Sequence, residues 1–243
     1  MSTHSNVFSG LWDLELEAIE EGNFDRGGWS TVSRMDMDNQ VVYVKRQSNH
    51  LCFRPNRRGL RVPTLKAEYD RINWYNRHKV HCLSVVYFGW RESDDGAQEA
   101  ILITESLDGF SSLDRLLTTS EALPRQTMWQ VYRSIGVAIR HMHDAGIEHY
   151  HLYPKHVFVA REAGPDGLHQ VRFIDLEASR RNFGLKRRKL RDLETLGRRS
   201  IWVSKPNKLR ALLGYAGTRR IDKALRYDIR TILDRTEDKQ LRP

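Results

Sequence analysis

Between Phe8 and Gly22 the apolar side chains Phe8, Leu11, Trp12, Leu14, Leu16 and Ile19 are interleaved with acids, and this spacing predicts a short amphipathic helix over 8–22. Beyond Gly27-Gly28 the pattern changes. Trp29 to Met35 reads as a strand, Asp36-Met-Asp-Asn39 as a hairpin turn, and Val41-Val-Tyr-Val-Lys45 as the β-branched return strand, ending on a lysine. A basic loop containing Pro55 and Gly59 follows. Pro63 and Thr64 then open a helix to His78, with Thr64 as its cap. Leu83–Gly89 and Ala100–Glu105 complete a strand-rich region, joined by the acidic turn Glu92 to Gly96.

From Gly109 the periodicity becomes helical. Ser112 to Leu117 is a short helix. Pro124 to Ala145 is a long one, with Val131, Ile135, Ala138, Ile139 and Met142 as its buried stripe and Gly146 as its stop. Two short strands, Val157 to Ala160 and Val171 to Asp175, flank the loop Gly164-Pro-Asp-Gly167, and the remainder is helical and basic. This order predicts an α+β chain in one two-lobed domain spanning 1–243. An N-terminal helical extension (1–21) precedes a strand-rich lobe of about 22–106, and a helical lobe covers about 107–243.

Charge adds a partner class. Forty Lys and Arg against thirty-one Asp and Glu leave +9 and a pI near 9.7, which favours an anionic partner: nucleic acid, acidic lipid or a phosphorylated glycan. The cations are grouped. Arg54, Arg57, Arg58 and Arg61 precede the first-lobe helix; Arg180, Arg181, Lys186, Arg187, Arg188, Lys189 and Arg191 follow Asp175, with Arg198-Arg199 beyond. Zinc-finger spacing and aromatic–basic interleaving are both lacking, which argues against nucleic acid. The second group suits a phosphorylated or carboxylated sugar, or an anionic membrane surface. Cys52 and Cys82 are too few for a disulfide framework, and the start lacks the apolar run of a secretion signal. A cytoplasmic protein is expected, with peripheral contact at the inner membrane as a further expectation.

The chemistry concentrates between His149 and Glu177. A kinase catalytic loop reads H-R-D-x-x-x-x-N, where Asp takes the acceptor's proton and Asn holds a metal. His149-Tyr-His-Leu-Tyr-Pro-Lys-His156 has that layout, with His151 in the Asp slot and His156 in the Asn slot. Asp175, within Phe173-Ile-Asp-Leu-Glu177, is placed to bind Mg²⁺. Lys45 could reach donor phosphates, and Glu68, twenty-three residues on, could pair with it. Gly27 and Gly28 supply flexibility where a phosphate-covering loop would stand, although G-x-G-x-x-G is absent. His141 and His143, two apart on a helix, point away from each other and argue against a zinc pair.

At these residues the chain resembles the lipopolysaccharide core (Kdo and heptose) kinase family, particularly its InaA-like branch. The matching pieces are Tyr43-Val-Lys-Arg46, Leu102-Ile-Thr-Glu105 with Gly109-Phe110, His149 with Tyr153 and His156, Phe173 to Arg181, and Asp192-Leu-Glu-Thr-Leu196. The resemblance implies a protein-kinase-like fold and ATP- and Mg²⁺-dependent phosphorylation of a sugar in the lipopolysaccharide inner core. It also implies site roles. Lys45, Glu68 and Glu105 would serve the nucleotide, His156 and Asp175 the metal, and His149 and Asp192 would brace the loop. Arg180, Arg181, Arg187 and Arg188 would face an anionic acceptor. His151 departs from the family's usual H-x-D, so two readings stay open: a working phosphotransferase with an imidazole base, or a nucleotide-binding pseudokinase with a regulatory role. A peripheral membrane scaffold is a third.

Overall fold

The computed structural model describes residues 2–19, 21–24, 27–53, 61–118 and 123–240. Arg54, Arg57 and Arg58 of the first basic group lie outside these residues. The chain divides into two compact units, Met1–Trp74 with Leu83–Ser106, and Tyr75–Cys82 with Leu107–Pro243.

The first unit contains α1 (Ser2–Asp13), β1 (Trp29–Met37), β2 (Gln40–Ser48), β3 (Leu51–Phe53), β4 (Arg61–Pro63), most of α2 (Thr64–Arg77), β5 (Val85–Glu92) and β6 (Gln98–Glu105). Its sheet runs β1-β2-β6-β5, antiparallel throughout. Asp38 and Asn39, both at positive φ, make the tight turn between β1 and β2, as a two-residue hairpin with right-handed strand twist requires. Lys45 stands inside β2, opposite Val32 on one side and Leu102 on the other, rather than at a strand end.

The helix expected over 8–22 stops at Asp13. From Leu14 the chain is extended, with antiparallel bridges Ala18–Ser33 and Asn23–Ser30 to β1. The reason is visible in Leu14-Glu-Leu-Glu, which alternates with a period of two and so suits an extended segment better than a helix. Phe8 is buried in a cluster with Val42, Val44, Ile101 and Ile103, and Leu11, Trp12 and Leu16 pack against it. The N-terminal segment therefore completes the sheet's core instead of standing apart from it.

The second unit contains β7 (Phe110–Ser112), α3 (Leu113–Thr118), α4 (Arg125–Asp144), β8 (Ile147–Glu148), β9 (Val157–Ala163), β10 (His169–Phe173), β11 (Arg180–Arg181), α5 (Lys186–Arg199), α6 (Lys205–Ala216) and α7 (Lys223–Gln240). The α4 stripe is buried as its spacing requires: Val131, Ile135, Ile139 and Met142 are each at most 1% exposed, and each fully buried aliphatic side chain stabilises by roughly 1.5–3 kcal/mol. Gly136 lets α4 and α6 touch, because a Cβ there would lie 1.9 Å from the Ala211 carbonyl oxygen. The hairpin β9–β10 and β7 form one sheet, and β8 pairs with β11. Among the described residues no helix is long and apolar enough to cross a membrane.

Candidate active site

In the first unit, alternation along β2 sorts the side chains. Val42 and Val44 join the apolar cluster, so Tyr43, Lys45 and Gln47 project from the other face. Gln47 is fully buried. Its amide oxygen accepts from Thr64 Oγ1 (2.8 Å) and from the Leu65 N–H (2.7 Å), while its NH₂ donates to the His50 carbonyl. These bonds dock the first turn of α2 on the sheet. One turn later Glu68 lies on the same helix face as Thr64, and Lys45 Nζ donates to both of its carboxylate oxygens, at 2.8 and 2.9 Å. The Glu68 side chain is buried and that of Lys45 is a quarter exposed. The anchoring role of Gln47 has no signal in the sequence, since an isolated strand glutamine usually faces water.

Gly27 and Gly28 occupy the turn leading into β1, where Asn23 and Ser30 exchange backbone hydrogen bonds of 2.9 and 2.8 Å. Gly27 has φ +80, and a Cβ on Gly28 would fall 2.1 Å from the Ser48 carbonyl oxygen. Gly28 is thus required by the close passage of the β2 backbone, whatever else it does. Glu105 ends β6 with an exposed side chain, and its N–H donates to the Ser84 carbonyl.

In the second unit the loop after β8 is held by one carboxylate. Asp192, fully buried on α5, accepts the His149 N–H at 2.7 Å and the Tyr150 N–H at 2.9 Å. His143 Nε2 lies 3.2 Å from the same carboxylate, and Tyr215 is 3.0 Å from His143 Nδ1. With Nε2–H donating to Asp192, Nδ1 accepts the tyrosine proton, and every group in the chain is satisfied. His143 is therefore a packing residue with a defined bonding role. His141 bonds the Lys79 carbonyl oxygen from the other side of the helix.

His149 is fully buried, and its Nε2–H donates to the Ile174 carbonyl at 3.0 Å, while Nδ1 has no hydrogen-bond partner. Burial lowers its pKa to about 4, against a partial opposing pull from Asp192. The folded value is thus below the unfolded one, so the unfolded chain takes the proton first as pH falls. Stability is fully present above about pH 6.5 and is lost toward pH 4, by about 2 kcal/mol at pH 5 and about 3 kcal/mol in total. Urea unfolding in EDTA at pH 7.5 and pH 5 should show this slope, and His149→Gln should flatten it by about that amount. An unchanged slope in the variant would remove His149 as its source.

Asp175 does not lie on a strand as its neighbours suggested. Strand β10 ends at Phe173, and Asp175 has φ +58, a conformation that costs a side-chain-bearing residue about 1 kcal/mol or more. This turn aims the carboxylate at His156, with Oδ2 3.1 Å from Nε2. His156 Nδ1 donates to the His151 carbonyl at 2.9 Å, so in the neutral ring the nitrogen facing Asp175 carries a lone pair. Burial lowers the His156 pKa, partly offset by Asp175. This pair could hold a cation between its two acceptors, although among the described residues no third His, Cys, Asp or Glu joins it. Donors on adjacent corners of an octahedral ion at ~2.1 Å lie ~3.0 Å apart, so the pair fits a small divalent metal. Imidazole nitrogen is a better ligand for Mn²⁺ or Zn²⁺ than for Mg²⁺.

His151 lies between two tyrosines. Its ring stacks on Tyr150 (centroids 5.0 Å, 28° between planes) and on Tyr153 (5.7 Å, 8°). Tyr150 also carries the Arg180 and Arg191 guanidinium groups over its ring at 3.9 and 4.5 Å, and Arg199 lies over Tyr153 at 5.3 Å. The imidazole is thereby oriented by a column of rings capped with cations.

The arginines expected to face an acceptor divide into two kinds. Arg180 donates to fully buried Glu148 at 2.9 Å, Arg191 donates to the same carboxylate, and Arg188 lies 3.9 Å from it. Arg180 and Arg188 are therefore not freely solvated charges. Burial raises the Glu148 pKa and the Arg180 bond opposes that rise. Arg181 is exposed and Arg187 is exposed on the first turn of α5. Glu148 and Tyr150 were missed from sequence, because their bonds reach residues 30 to 43 positions away; Tyr153 was marked as a motif residue, but not as a partner of the His151 ring.

A lysine–glutamate pair on a strand-rich unit, and a histidine-rich loop with an adjacent aspartate on a helical one, are the parts of a kinase-like protein. The solved structure of WaaP in complex with acyl carrier protein matches the fold with a TM-score of 0.68, covering 98% of this chain and 95% of that one at 20% identity. The chain belongs to the lipopolysaccharide kinase (Kdo/WaaP) family, whose model matches residues 9–215. Protein InaA of Escherichia coli (strain K12) is 30% identical to it over 186 residues, 74% of this chain and 82% of that protein.

Proposed function

We propose that this protein is an ATP-dependent phosphotransferase acting on a sugar hydroxyl of the lipopolysaccharide inner core. The observation that carries this reading is the Lys45–Glu68 pair, in which both carboxylate oxygens hold the ammonium of one partly exposed lysine side chain. Such an ammonium has a fixed position from which to neutralise donor phosphate charge, and phosphoryl transfer depends mainly on positioning and charge neutralisation. Asp175 and His156 would hold a divalent metal, Mg²⁺ in the family expectation, which when bound supplies further neutralisation of phosphate charge. Glu105, Gly27 and Gly28 would contribute to the nucleotide site, and His151 would accept the hydroxyl proton. Membership of a lipopolysaccharide kinase family supports the acceptor class. The acyl carrier protein bound to the solved neighbour makes a carrier-protein partner a further proposal.

The second reading, a nucleotide-binding pseudokinase, is favoured by His151 standing where an Asp base is usual. Both readings require nucleotide binding, and thermal shift tests that first. A ligand at a hundred times its Kd stabilises by about 2.7 kcal/mol, or roughly 5–10 °C for a chain of this size. Saturating ATP with Mg²⁺ should give that shift in the wild type and little of it in Lys45→Ala. Absence of any shift in the wild type would end both readings. Transfer of labelled phosphate from ATP to core oligosaccharide then separates them.

A further inference from the structure

The geometry points to a binding pocket for a phosphate-class dianion at the start of α5, which we assign to a second, already anionic group on the acceptor molecule. The assignment deepens the phosphotransferase reading and rests on it for the identity of that molecule, though not for the pocket itself.

The first argument is a broken local rule. Helix α5 begins Lys186-Arg-Arg-Lys189, has no acidic residue in its first turn, and has Leu185 at the cap position with no side-chain cap bond. A helix N-terminus already carries positive potential, so cations there are unfavourable; Lys186 is paired with Asp228 and Lys189 with Asp144, so the repulsion that remains falls on Arg187 and Arg188. A sequence selected for stability alone would place Asp or Glu in that turn. A bound dianion would reverse the sign of the interaction.

The second argument is the cavity. A pocket of about 740 Å³ opens at this turn, walled by Arg187, Arg188 and Arg191 of α5, by Arg180, and by Arg235 and Lys239 of α7, cations that outnumber the two acids of its wall, Glu194 and Asp238. It is prearranged by buried acids. Glu148, fully buried, holds Arg180 and Arg191 and has Arg188 nearby, three guanidinium groups to one carboxylate. Glu194, also fully buried, holds Arg198 and Lys239. Arg235 is fixed by its bond to the Arg187 carbonyl at 3.0 Å. Planar forks locked this way match phosphate oxygens and lose little freedom on binding.

The third argument locates the anion relative to the chemistry. Arg180 and Arg191 lie on the Tyr150 ring, and Tyr150 stacks on His151. The pocket wall is therefore one aromatic layer from the proposed base. An acceptor that offers its hydroxyl to His151 could place a phosphate it already bears among these guanidinium groups.

The test uses metal-free pyrophosphate as probe, titrated by calorimetry into the full-length protein. Wild type and Lys45→Ala should bind it alike, because the proposed nucleotide lysine is not part of this pocket. Arg187→Gln with Arg235→Gln should weaken binding at least about tenfold, Arg187→Gln alone, which leaves the Arg235 bond to the backbone intact, should weaken it several-fold, and Arg219→Gln should leave it unchanged. Equal loss in Arg219→Gln, or no loss in the double variant, would overturn the assignment. So would sensitivity to Lys45→Ala equal to that of the double variant. Cosedimentation with phosphatidylcholine vesicles, with and without phosphatidylglycerol, forms the other arm. Vesicle binding that the double variant abolishes while pyrophosphate affinity stays intact would assign the cations to a lipid surface instead. Failure of the wild type to bind ATP would sink the phosphotransferase reading while leaving the pyrophosphate result standing.

Discussion

Asp192→Ala is expected to lower the melting temperature of the protein by roughly 10–20 °C. The carboxylate is fully buried and accepts the His149 and Tyr150 backbone N–H groups and the His143 side chain. Alanine leaves all three donors without a partner in a site that water does not reach. Each orphaned donor costs about 1–3 kcal/mol, more when its lost partner was charged, which sums to about 4–6 kcal/mol. For a chain of this length about 1 kcal/mol moves the midpoint by roughly 2–4 °C. The backbone adds to the effect, because Tyr150 is held at φ +73 and Asp192 bonds its N–H directly. Asp192→Asn should fall between, since its amide oxygen can accept one N–H while its NH₂ faces another donor. Calorimetry of the three proteins measures the order. A shift of under about 3 °C for the alanine variant would show that the loop is held elsewhere.

This part of the molecule was readable in sequence to an uneven degree. Asp192 was marked by its place in Asp-Leu-Glu-Thr-Leu, and Lys45 and Glu68 by a strand and a helix at the right separation. Those residues are found where their elements put them, and Lys45 is bonded to Glu68. What could not be read depends on burial created by the fold. Glu148 beside His149 looks like any charged residue until β8 pairs with β11 and brings Arg180 opposite it. Asp175 looks like a strand residue because Phe173 and Ile174 before it are apolar, and its turn into left-handed backbone is set by tertiary packing. The N-terminal segment was misread because Phe8, Leu11 and Trp12 do form a helical face, while Leu14 and Leu16 just beyond switch to a period of two. Element type followed from periodicity; the side-chain partners that orient the site came from contacts distant in sequence.

His151 is where the two functional readings separate, and its variants are expected to show large effects on rate with little on affinity. A general base contributes ~10²–10⁴-fold, roughly 3–5 kcal/mol of barrier. His151→Ala should therefore reduce kcat for transfer to a core oligosaccharide by that factor, while the KM for ATP stays within about twofold, because Lys45 and Glu68 are untouched. The stacking geometry supports a positioned imidazole rather than a surface ring: Tyr150 and Tyr153 flank it, and its carbonyl accepts from His156 Nδ1 and the Tyr153 N–H. Two companion variants sharpen the result. His151→Asp restores a carboxylate base and should retain much of the rate that alanine loses. Tyr153→Leu keeps the imidazole but removes one of its two flanking rings, so it should lower kcat less than His151→Ala and leave the KM for ATP alone. If transfer occurs and His151→Ala leaves kcat unchanged, the imidazole does not move the proton. If the wild type transfers nothing and His151→Asp gains activity, the natural histidine marks a pseudokinase whose nucleotide site has outlived its chemistry.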